Sequence, residues 1–418
     1  MNTRIDAHLQ HGSELDVPHE PFVVERGLGS EVWDTAGRRY LDAHGGAWLS
    51  QIGHGRPEMA AVAARQLATL EHFTTRREFA TPPAIALADA IVELSALQDG
   101  AVRFSNAGSE ADDDALQVVR EYQRRRGLPD KRVVITLVGA FHGHTIGGLQ
   151  LGGQIPVDDV VQVRMPDPYA FEGSPAELVE VCVAELEETI ARIGADRIAA
   201  MFGEPVFGPA GMFAPPADYW PRAVAVLRSH DILFVADEVV TGFGRAGAMF
   251  GCDLWGVVPD IMVFAKGLTS GYAAVAAVLL SREIADVTRG FSGGGSFSGH
   301  ALGTALALEN LRIVVAEGLA ENAAQRGRQF LAELEPLLEL PAVTAVHGAG
   351  LMVGVRLDEH AVAALERPLD ETIRKEHGVI LMSSRNRLVI TPPLVFTAAE
   401  VSETVAAVAA ACRGIPMP

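Results

Sequence analysis

Lysine is almost absent from this chain: it occurs three times in 418 residues. Lys131 and Lys375 lie in charged, polar stretches, and both are expected in solvent. Lys266 ends the apolar run Ile261–Ala265 and is followed by Gly267. A buried ammonium is costly unless it is paired or loses its proton. Since arginine keeps its proton, Lys266 is the cation placed to act as an amine nucleophile, unless it only extends from the strand end to water.

The chain is also poor in features that would place it in other classes of protein. Its three cysteines are too few and too widely spaced for a disulfide framework or a CxxC metal site, and they favour a reducing compartment. The net charge is −19 and basic residues form no long block, so a nucleic-acid partner is not expected. No apolar run suits a signal peptide or a membrane span. A cytoplasmic protein without a membrane partner is therefore expected.

What the chain does have is an ordinary globular composition, with 49% apolar and 21% charged residues. Between about residues 100 and 300, short uninterrupted apolar strands alternate with helical stretches. This alternation predicts an α/β fold with a mostly parallel central sheet that helices cover on both faces. The predicted strands are Val102–Phe104, Val133–Val138, Ile198–Phe202, Ile232–Ala236, Ile261–Ala265 and Ala276–Leu280.

The sequence pattern changes near both ends of this region. Val32–Leu41 contains a turn between two short strand-like pieces, which predicts a hairpin. After residue 301 a long helical region, 301–337, precedes short strands around Met352–Leu357 and Leu388–Ile390. We therefore predict an N-terminal segment 1–50, a large domain 51–300 and a small domain 301–418. The small part is predicted to be α+β and to include the N-terminal segment.

Ligands of parallel sheets gather at the carboxyl ends of the strands, and three strand ends here suit one kind of ligand. Gly108 and Ser109 lie at the N-terminus of a helix predicted over Asp112–Arg126, where free N–H groups favour an anion such as phosphate, or form an ordinary capped loop. Asp237 leaves a buried strand and would suit a ring nitrogen held as N–H⁺. With Lys266 as a Schiff-base amine, these residues match the needs of pyridoxal 5′-phosphate (PLP).

Longer motifs surround these residues. Asp-Glu-Val-Val-Thr-Gly-Phe-Gly-Arg occupies 237–245, and Ala-Lys-Gly-Leu-Thr-Ser-Gly-Tyr occupies 265–272. Further motifs lie at 105–111, 141–145, 203–206, 296–300 and 392–394. In this order they resemble the class III aminotransferases, fold-type-I PLP enzymes that include the omega-transaminases. The resemblance covers essentially the whole chain. It implies transfer of an amino group from an amine or omega-amino acid donor to a keto acid or ketone acceptor such as pyruvate.

The resemblance also implies roles for individual residues. Lys266 would form the internal aldimine and then shuttle the proton, and Asp237 would pair with the pyridinium nitrogen. Gly108 and Ser109 would hold the phosphate. Further cofactor contacts are implied at Val239 and Phe141 on the two ring faces, at His142 and Glu204 nearby, and at Ser296, which would reach the phosphate in a neighbouring subunit. A homodimer or a dimer of dimers, with active sites at the subunit interface, is therefore expected.

The substrate positions depart from the family pattern. Met382 stands where many relatives place an arginine that binds a substrate carboxylate, and the nearby arginines have a different spacing. Asp112 replaces an asparagine that is common in the family. Two arginines precede Pro82 where omega-transaminases often present aromatic residues, so one of them is a candidate contact. The candidate substrate residues are Trp48, at the expected pocket rim, Arg76, Arg77 and Arg385.

Other interpretations use the same residues. Gly242–Gly247 is a GxGxxG sequence, as in NAD-dependent dehydrogenases, but Asp237 and Glu238 would put negative charge where pyrophosphate binds. His142 and His144 supply two of the three or four ligands that zinc needs. Within PLP chemistry, a racemase or epimerase, an aminomutase and a decarboxylase stay open beside transamination, because all use the same lysine. A non-catalytic binding module is disfavoured because that lysine is retained.

Overall fold

The structure is a computed structural model that describes residues 22–365 and 367–415. Residues 1–21 of the predicted N-terminal segment therefore lie outside the described residues. None of the helices within these ranges has the length and apolar character needed to cross a membrane.

Strands and helices alternate along most of the described chain. The strands are β1 (Val24–Leu28), β2 (Glu31–Asp34), β3 (Arg39–Asp42), β4 (Ala101–Ser105), β5 (Val133–Leu137), β6 (Val160–Val163), β7 (Ile198–Gly203), β8 (Leu233–Asp237), β9 (Ile261–Phe264), β10 (Ala276–Leu280), β11 (Val343–Ala349), β12 (Met352–Leu357), β13 (Val379–Ile380), β14 (Met382–Ser384) and β15 (Arg387–Ile390). The helices are α1 (Gly45–Trp48), α2 (Pro57–Thr69), α3 (Pro82–Leu94), α4 (Gly108–Arg125), α5 (Ile146–Leu151), α6 (Pro175–Ile193), α7 (Tyr219–Ser229), α8 (Arg282–Val287), α9 (Ala301–Ala316), α10 (Leu319–Leu334), α11 (Glu359–Ala363), α12 (Leu369–His377) and α13 (Ala398–Arg413).

The central sheet has the strand order β4-β10-β9-β8-β7-β5-β6. The strands from β9 to β6 pair in parallel, whereas β10 runs antiparallel to both β9 and β4. The predicted mostly parallel sheet is confirmed, and each end of the six predicted strands lies within one residue of its prediction. The edge strand β6 was not predicted, because it is short and mostly half-buried.

Helices cover both faces of this sheet. On one face, α6 and α7 pack in an apolar core that includes Ile198 and Met201 of β7. On the other face, α4 packs in a core that includes Ala200 and Phe202 of the same strand. Because both faces are buried, the strands are uninterrupted apolar runs, which is the pattern that predicted them.

The C-terminal part forms a second, antiparallel sheet in the order β11-β12-β15-β14, with α10 packed against it. A third sheet, β1-β2-β3-β13, joins it to the N-terminal segment, because Val379 and Ile380 pair with β3. The predicted hairpin is confirmed as β2 and β3. The N-terminal segment and the C-terminal part also share one apolar core. The predicted boundaries at 50 and 300 stay predictions.

Two helices differ from their predicted extents. The region predicted as helical over 301–337 is divided, because Gly318 between α9 and α10 has a φ of +60°. This left-handed conformation suits glycine and ends a helix. The helix predicted from Asp112 begins four residues earlier, at Gly108. Gly108 and Ser109 therefore supply the first helical N–H groups themselves.

The prediction that Lys131 is solvated was wrong. Its side chain is buried, and Nζ donates to the main-chain oxygen of Asp231 at 2.6 Å and to its Oδ2 at 2.9 Å. Lys131 thus joins the loops that precede β5 and β8. Lys375 is exposed as predicted, and it pairs with Glu371 one helical turn away.

Candidate active site

A cavity of about 270 Å³ lies at the carboxyl ends of β4, β8 and β9. Eight predicted cofactor residues line it: Gly108, Ser109, Phe141, His142, Glu204, Asp237, Val239 and Lys266. The sheet topology explains this convergence, because the ends of parallel strands meet at one edge. Strand β10 runs in the opposite direction and starts at the same edge, so residues 273–275 before it also line the cavity.

The N-terminus of α4 opens on this cavity. Gly108 is its first residue, and a Cβ added there would lie 3.0 Å from Cγ1 of Val239, which forms the cavity wall. Ser109 Oγ accepts a hydrogen bond from the main-chain N–H of His144 at 3.0 Å, which leaves its own proton free to donate. The preceding Ala107 offers no capping oxygen. The free N–H groups and the hydroxyl therefore form a site for an anion.

Asp237 ends β8 and is buried in the cavity lining. Its Oδ2 lies 2.7 Å from Nδ1 of His142, and its Oδ1 accepts from the main-chain N–H of Val239 at 3.0 Å. Burial lowers the pKa of His142, but the hydrogen bond and the charge of Asp237 outweigh burial, so this pKa is raised. His142 therefore acts as a donor that stabilises a negative charge on Asp237.

Lys266 follows β9 with a φ of +33°, which is unusual for a residue with a side chain. Its Nζ lies 5.6 Å from the ring centroid of the half-buried Trp48. Burial lowers the pKa of Lys266, and the nearby carboxyls, Asp237 first, act against that shift. The residue keeps partial exposure because it lines the cavity, while the surrounding protein desolvates its amine. Such an amine loses its proton more readily and becomes a nucleophile.

Glu204 follows β7 and is buried beside Asp237. Its Oε1 accepts from the main-chain N–H of Phe141 at 3.3 Å, and its Oε2 accepts from that of Gly208 at 3.0 Å. Burial, together with the charge of Asp237, raises the pKa of Glu204 to about 7. Glu204 thus ties the segment that carries Phe141 to the end of β7.

The remaining predicted contacts lie outside the lining of this cavity. Ser296 and Arg76 are exposed, and Nη2 of Arg76 donates to the main-chain oxygen of Gly294 at 2.6 Å. Arg77 is exposed with a φ of +57°. Arg385 is exposed in the turn between β14 and β15. Their roles toward cofactor or substrate stay predictions.

The GxGxxG sequence at Gly242–Gly247 is a junction between parts of the chain. Arg245 within it is fully buried and donates to the main-chain oxygen of Pro392. Gly247 has a φ of +89°, and a Cβ added there would lie 3.2 Å from Cα of Ala324 in α10. Close packing of the C-terminal part therefore explains these glycines without a dinucleotide.

Some residues of the cavity lining had not been predicted. Sequence reasoning gave no role to Leu49, Asn106, Val240 or Thr269, and only a peripheral one to Asp112. Asp112 is buried, and its Oδ1 has no hydrogen-bond partner within the described chain. Its place in the cavity could have been inferred from its spacing, because a residue four positions after Gly108 lies one turn along the same face of α4.

The family model for class-III aminotransferases matches residues 14–412. The chain belongs to this family. It is 34% identical over 404 residues to the putrescine–pyruvate aminotransferase of Pseudomonas aeruginosa. The aligned region covers 92% of this chain and 88% of that protein. This class-III aminotransferase therefore moves an amino group from a small-molecule amine to a keto acceptor, and its cofactor is PLP.

Solved structures confirm the fold prediction. An (S)-enantioselective omega-transaminase from Thermomicrobium roseum is similar with a TM-score of 0.92 and 37% identity, covering 97% of both chains. A PLP-bound amine transaminase from an uncultivated Pseudomonas species has a TM-score of 0.93 and 35% identity, covering 98% of this chain and 99% of that one.

The cavity of this aminotransferase fits PLP. The amine of Lys266, the carboxylate of Asp237 and the N-terminus of α4 match the aldehyde, the ring nitrogen and the phosphate, respectively. Gly108 has no Cβ to narrow the phosphate end. Nε2 of His142 is buried without a hydrogen-bond partner among the described residues. A polar atom beside Asp237 is therefore still available for a hydrogen bond.

Ser109→Ala is expected to weaken PLP binding by roughly ten- to a hundredfold, because a hydrogen bond to a charged group contributes about 1.5–3 kcal/mol. Titrating the cofactor-free variant with PLP and following its absorbance measures the dissociation constant. Ser281→Ala is the matched control, because Ser281 precedes α8 without a side-chain capping bond. Equal dissociation constants for the two variants would show that the Ser109 hydroxyl does not contact the phosphate.

Proposed function

We propose that Lys266 bonds PLP covalently while Asp237, Gly108 and Ser109 hold its ring nitrogen and phosphate. The observation that carries this proposal is the convergence of a desolvated amine, a buried carboxylate and a free helix N-terminus in one cavity. These three groups come from separate strand ends, and PLP is a ligand that uses all of them.

Bound here, PLP would supply an aldehyde that condenses with primary amines and a ring that withdraws electrons from the adjacent carbon. Asp237, supported by His142, keeps the ring nitrogen protonated. Val239 and Phe141, which line the cavity, would pack on the two faces of the bound ring and exclude water. Lys266 acts first as the nucleophile and then carries the proton to and from the reacting carbon.

We further propose a primary amine or omega-amino acid as donor and a small keto acid such as pyruvate as acceptor. A guanidinium for the carboxylate of the acceptor is proposed to come from a second copy of the chain, because no arginine among the described residues lines the cavity. Met382 and Trp48 instead pack with Val240 in an apolar cluster beside it. The P. aeruginosa relative, named for putrescine and pyruvate, supports this substrate class.

A second copy of the chain is proposed to complete each site, in a homodimer or a dimer of dimers. Ser296 and Arg76 belong to two exposed stretches that Thr75 Oγ1 links by a hydrogen bond to the main-chain oxygen of Ser298 at 2.9 Å. These stretches also expose large apolar side chains, which are Phe73, Phe79 and Phe297. A surface of this kind marks an interface. Through it, Ser296 would reach the phosphate and Arg76 the substrate of the other subunit.

The cellular location and the domain boundaries are proposals as well. Cys182, Cys252 and Cys412 are free and buried, which fits a reducing cytoplasm. Along the sequence, β10 is the last strand of the central sheet, and α9 begins at Ala301. This order supports a boundary near residue 300.

The proposed function is tested by following the absorption spectrum of the purified enzyme as amines are added. Omega-amino acids, simple amines and diamines are supplied one at a time, followed by pyruvate or 2-oxoglutarate. The donor should bleach the imine band, and the acceptor should restore it. Inversion of an amino acid without bleaching would instead indicate a racemase, and loss of CO₂ a decarboxylase.

Arg76→Ala and Arg77→Ala, made singly, are expected to differ in their effect on the keto acceptor. One of them should raise the KM for pyruvate about tenfold, because a guanidinium–carboxylate contact is lost. The KM for a simple amine should not change. Arg65→Ala, an exposed arginine of α2, is the control. An unchanged KM for every acceptor in both variants would remove these arginines from the substrate site.

A further inference from the structure

Three buried carboxyl groups line the cavity, those of Asp112, Glu204 and Asp237. Asp237 receives bonds from a histidine and a main-chain N–H, and Glu204 receives two from main-chain N–H groups. Asp112 is equally buried, but its Oδ1 has no hydrogen-bond partner among the described residues. Of the three, Asp112 is therefore the carboxyl least able to carry a negative charge.

The surroundings of Asp112 bring further charges close to it. The charged groups that face it are Glu204 after β7, Asp237 at the end of β8, Lys266 after β9 and Asp113 on its own helix. Asp112, His142 and Asp237 each bring one polar atom within 4.8 Å of the others. Burial first, and then the charges of Asp237 and Glu204, raise the pKa of Asp112 well above its ordinary value. Lys266 and the positive end of the α4 dipole act against that shift without reversing it.

We propose that Asp112 is a positioning residue that keeps its proton in the working enzyme, so that Asp237 carries the negative charge that meets the cofactor ring. This inference rests on the proposed role of Asp237. A second ionised carboxyl beside Asp237 would repel it and would hold the proton on Lys266. A neutral carboxylic acid avoids both effects. It also supplies a donor to a cluster in which Nε2 of His142 is buried without a partner in the described chain.

The first test looks for the proton itself. The full-length enzyme is labelled with carbon-13 at its aspartate carboxyls, so that Glu204 does not contribute, and infrared spectra are recorded with and without PLP. The wild-type spectrum at neutral pH should contain the C=O stretch of a protonated carboxyl, which Asp112→Asn removes. Asp89→Asn, which removes an exposed aspartate of α3, should leave that band unchanged. Absence of the band from the wild-type enzyme overturns the proposal, whether or not the variant folds.

The second test measures the electrostatic effect on Lys266. The absorption of the PLP-loaded enzyme is titrated with pH, and its midpoint reports the protonation of the lysine–cofactor bond. Asparagine resembles a neutral acid, so Asp112→Asn should keep the wild-type midpoint. Asp112→Leu, which removes the donor, should shift it. A midpoint lowered by roughly one pH unit in Asp112→Asn, the size expected for loss of a nearby unit charge, would mean that Asp112 is ionised.

The third test is the stability of the enzyme to urea as a function of pH. The folded chain keeps the proton of Asp112 while the unfolded chain releases it near pH 4, so this residue lowers stability as pH rises above that value. Asp112→Asn should therefore gain in urea midpoint over the wild type between pH 4 and pH 8. A difference that does not change with pH overturns the proposal. If PLP bonds elsewhere than at Lys266, the spectral test fails with the proposed function, whereas the infrared and urea tests still decide on Asp112.

Discussion

Lys266→Ala should lower the rate of amino transfer by about three to four orders of magnitude, because both the nucleophile and the proton carrier are lost. The other lysines cannot replace it, since Lys131 is buried in contact with Asp231 and Lys375 lies on an exposed helix. The purified variant should also lose the imine absorption band and release PLP during gel filtration. Steady-state kinetics and the absorption spectrum measure both effects.

The control for this substitution is Lys375→Ala, which removes an exposed lysine that pairs with Glu371. It should keep the spectrum and the rate of the parent enzyme. If Lys266→Ala transferred amino groups at more than a tenth of the parent rate, a different residue would carry the chemistry.

Asp237→Asn is expected to lower kcat/KM by roughly a hundred- to a thousandfold, the scale for removing one preorganised charge from an active site. An amide keeps the shape of the side chain but cannot hold a ring nitrogen in its protonated form. The pKa of His142 should also fall, because burial would no longer be outweighed by the charge of Asp237. Kinetics and nuclear magnetic resonance of the His142 ring measure the two effects separately.

Asp260→Asn is a matched control for removing a carboxylate from the central sheet. Asp260 precedes β9, and its Oδ2 accepts a hydrogen bond from the main-chain N–H of Phe234 at 2.8 Å, outside the cavity lining. This variant should keep the kcat/KM of the parent in its folded fraction. Equal losses in Asp237→Asn and Asp260→Asn would mean that Asp237 acts through stability alone.

The main cavity residues could be predicted because their signals are local. Lys266 and Asp237 each end an uninterrupted apolar run, and such runs in a parallel sheet end at one edge. Gly108 and Ser109 follow a third strand in the same way. The structure brings these ends into one cavity. The fold class was predictable for the same reason, because strands buried on both faces have a recognisable composition.

What could not be predicted depends on contacts between distant parts of the chain. The antiparallel direction of β10 is set by its pairing with β4 and β9, and its apolar sequence fits either direction. Lys131 lies in a charged stretch, yet its side chain is buried in contact with Asp231, which is 100 positions away. Asp112 required both the true start of α4 and the carboxyls of two other segments. Ser296 and Arg76 lie on an exposed surface, so the roles proposed for them require a second chain that the sequence alone does not place.

The covalent role of Lys266 is tested most directly by treating the PLP-loaded enzyme with borohydride and mapping its peptides by mass spectrometry. Reduction fixes the bond between the cofactor and the lysine that holds it. The added mass is expected on the peptide that contains Lys266. Its appearance on a peptide with Lys131 or Lys375, or its absence from all three, would contradict the assignment of Lys266 as the residue that bonds PLP.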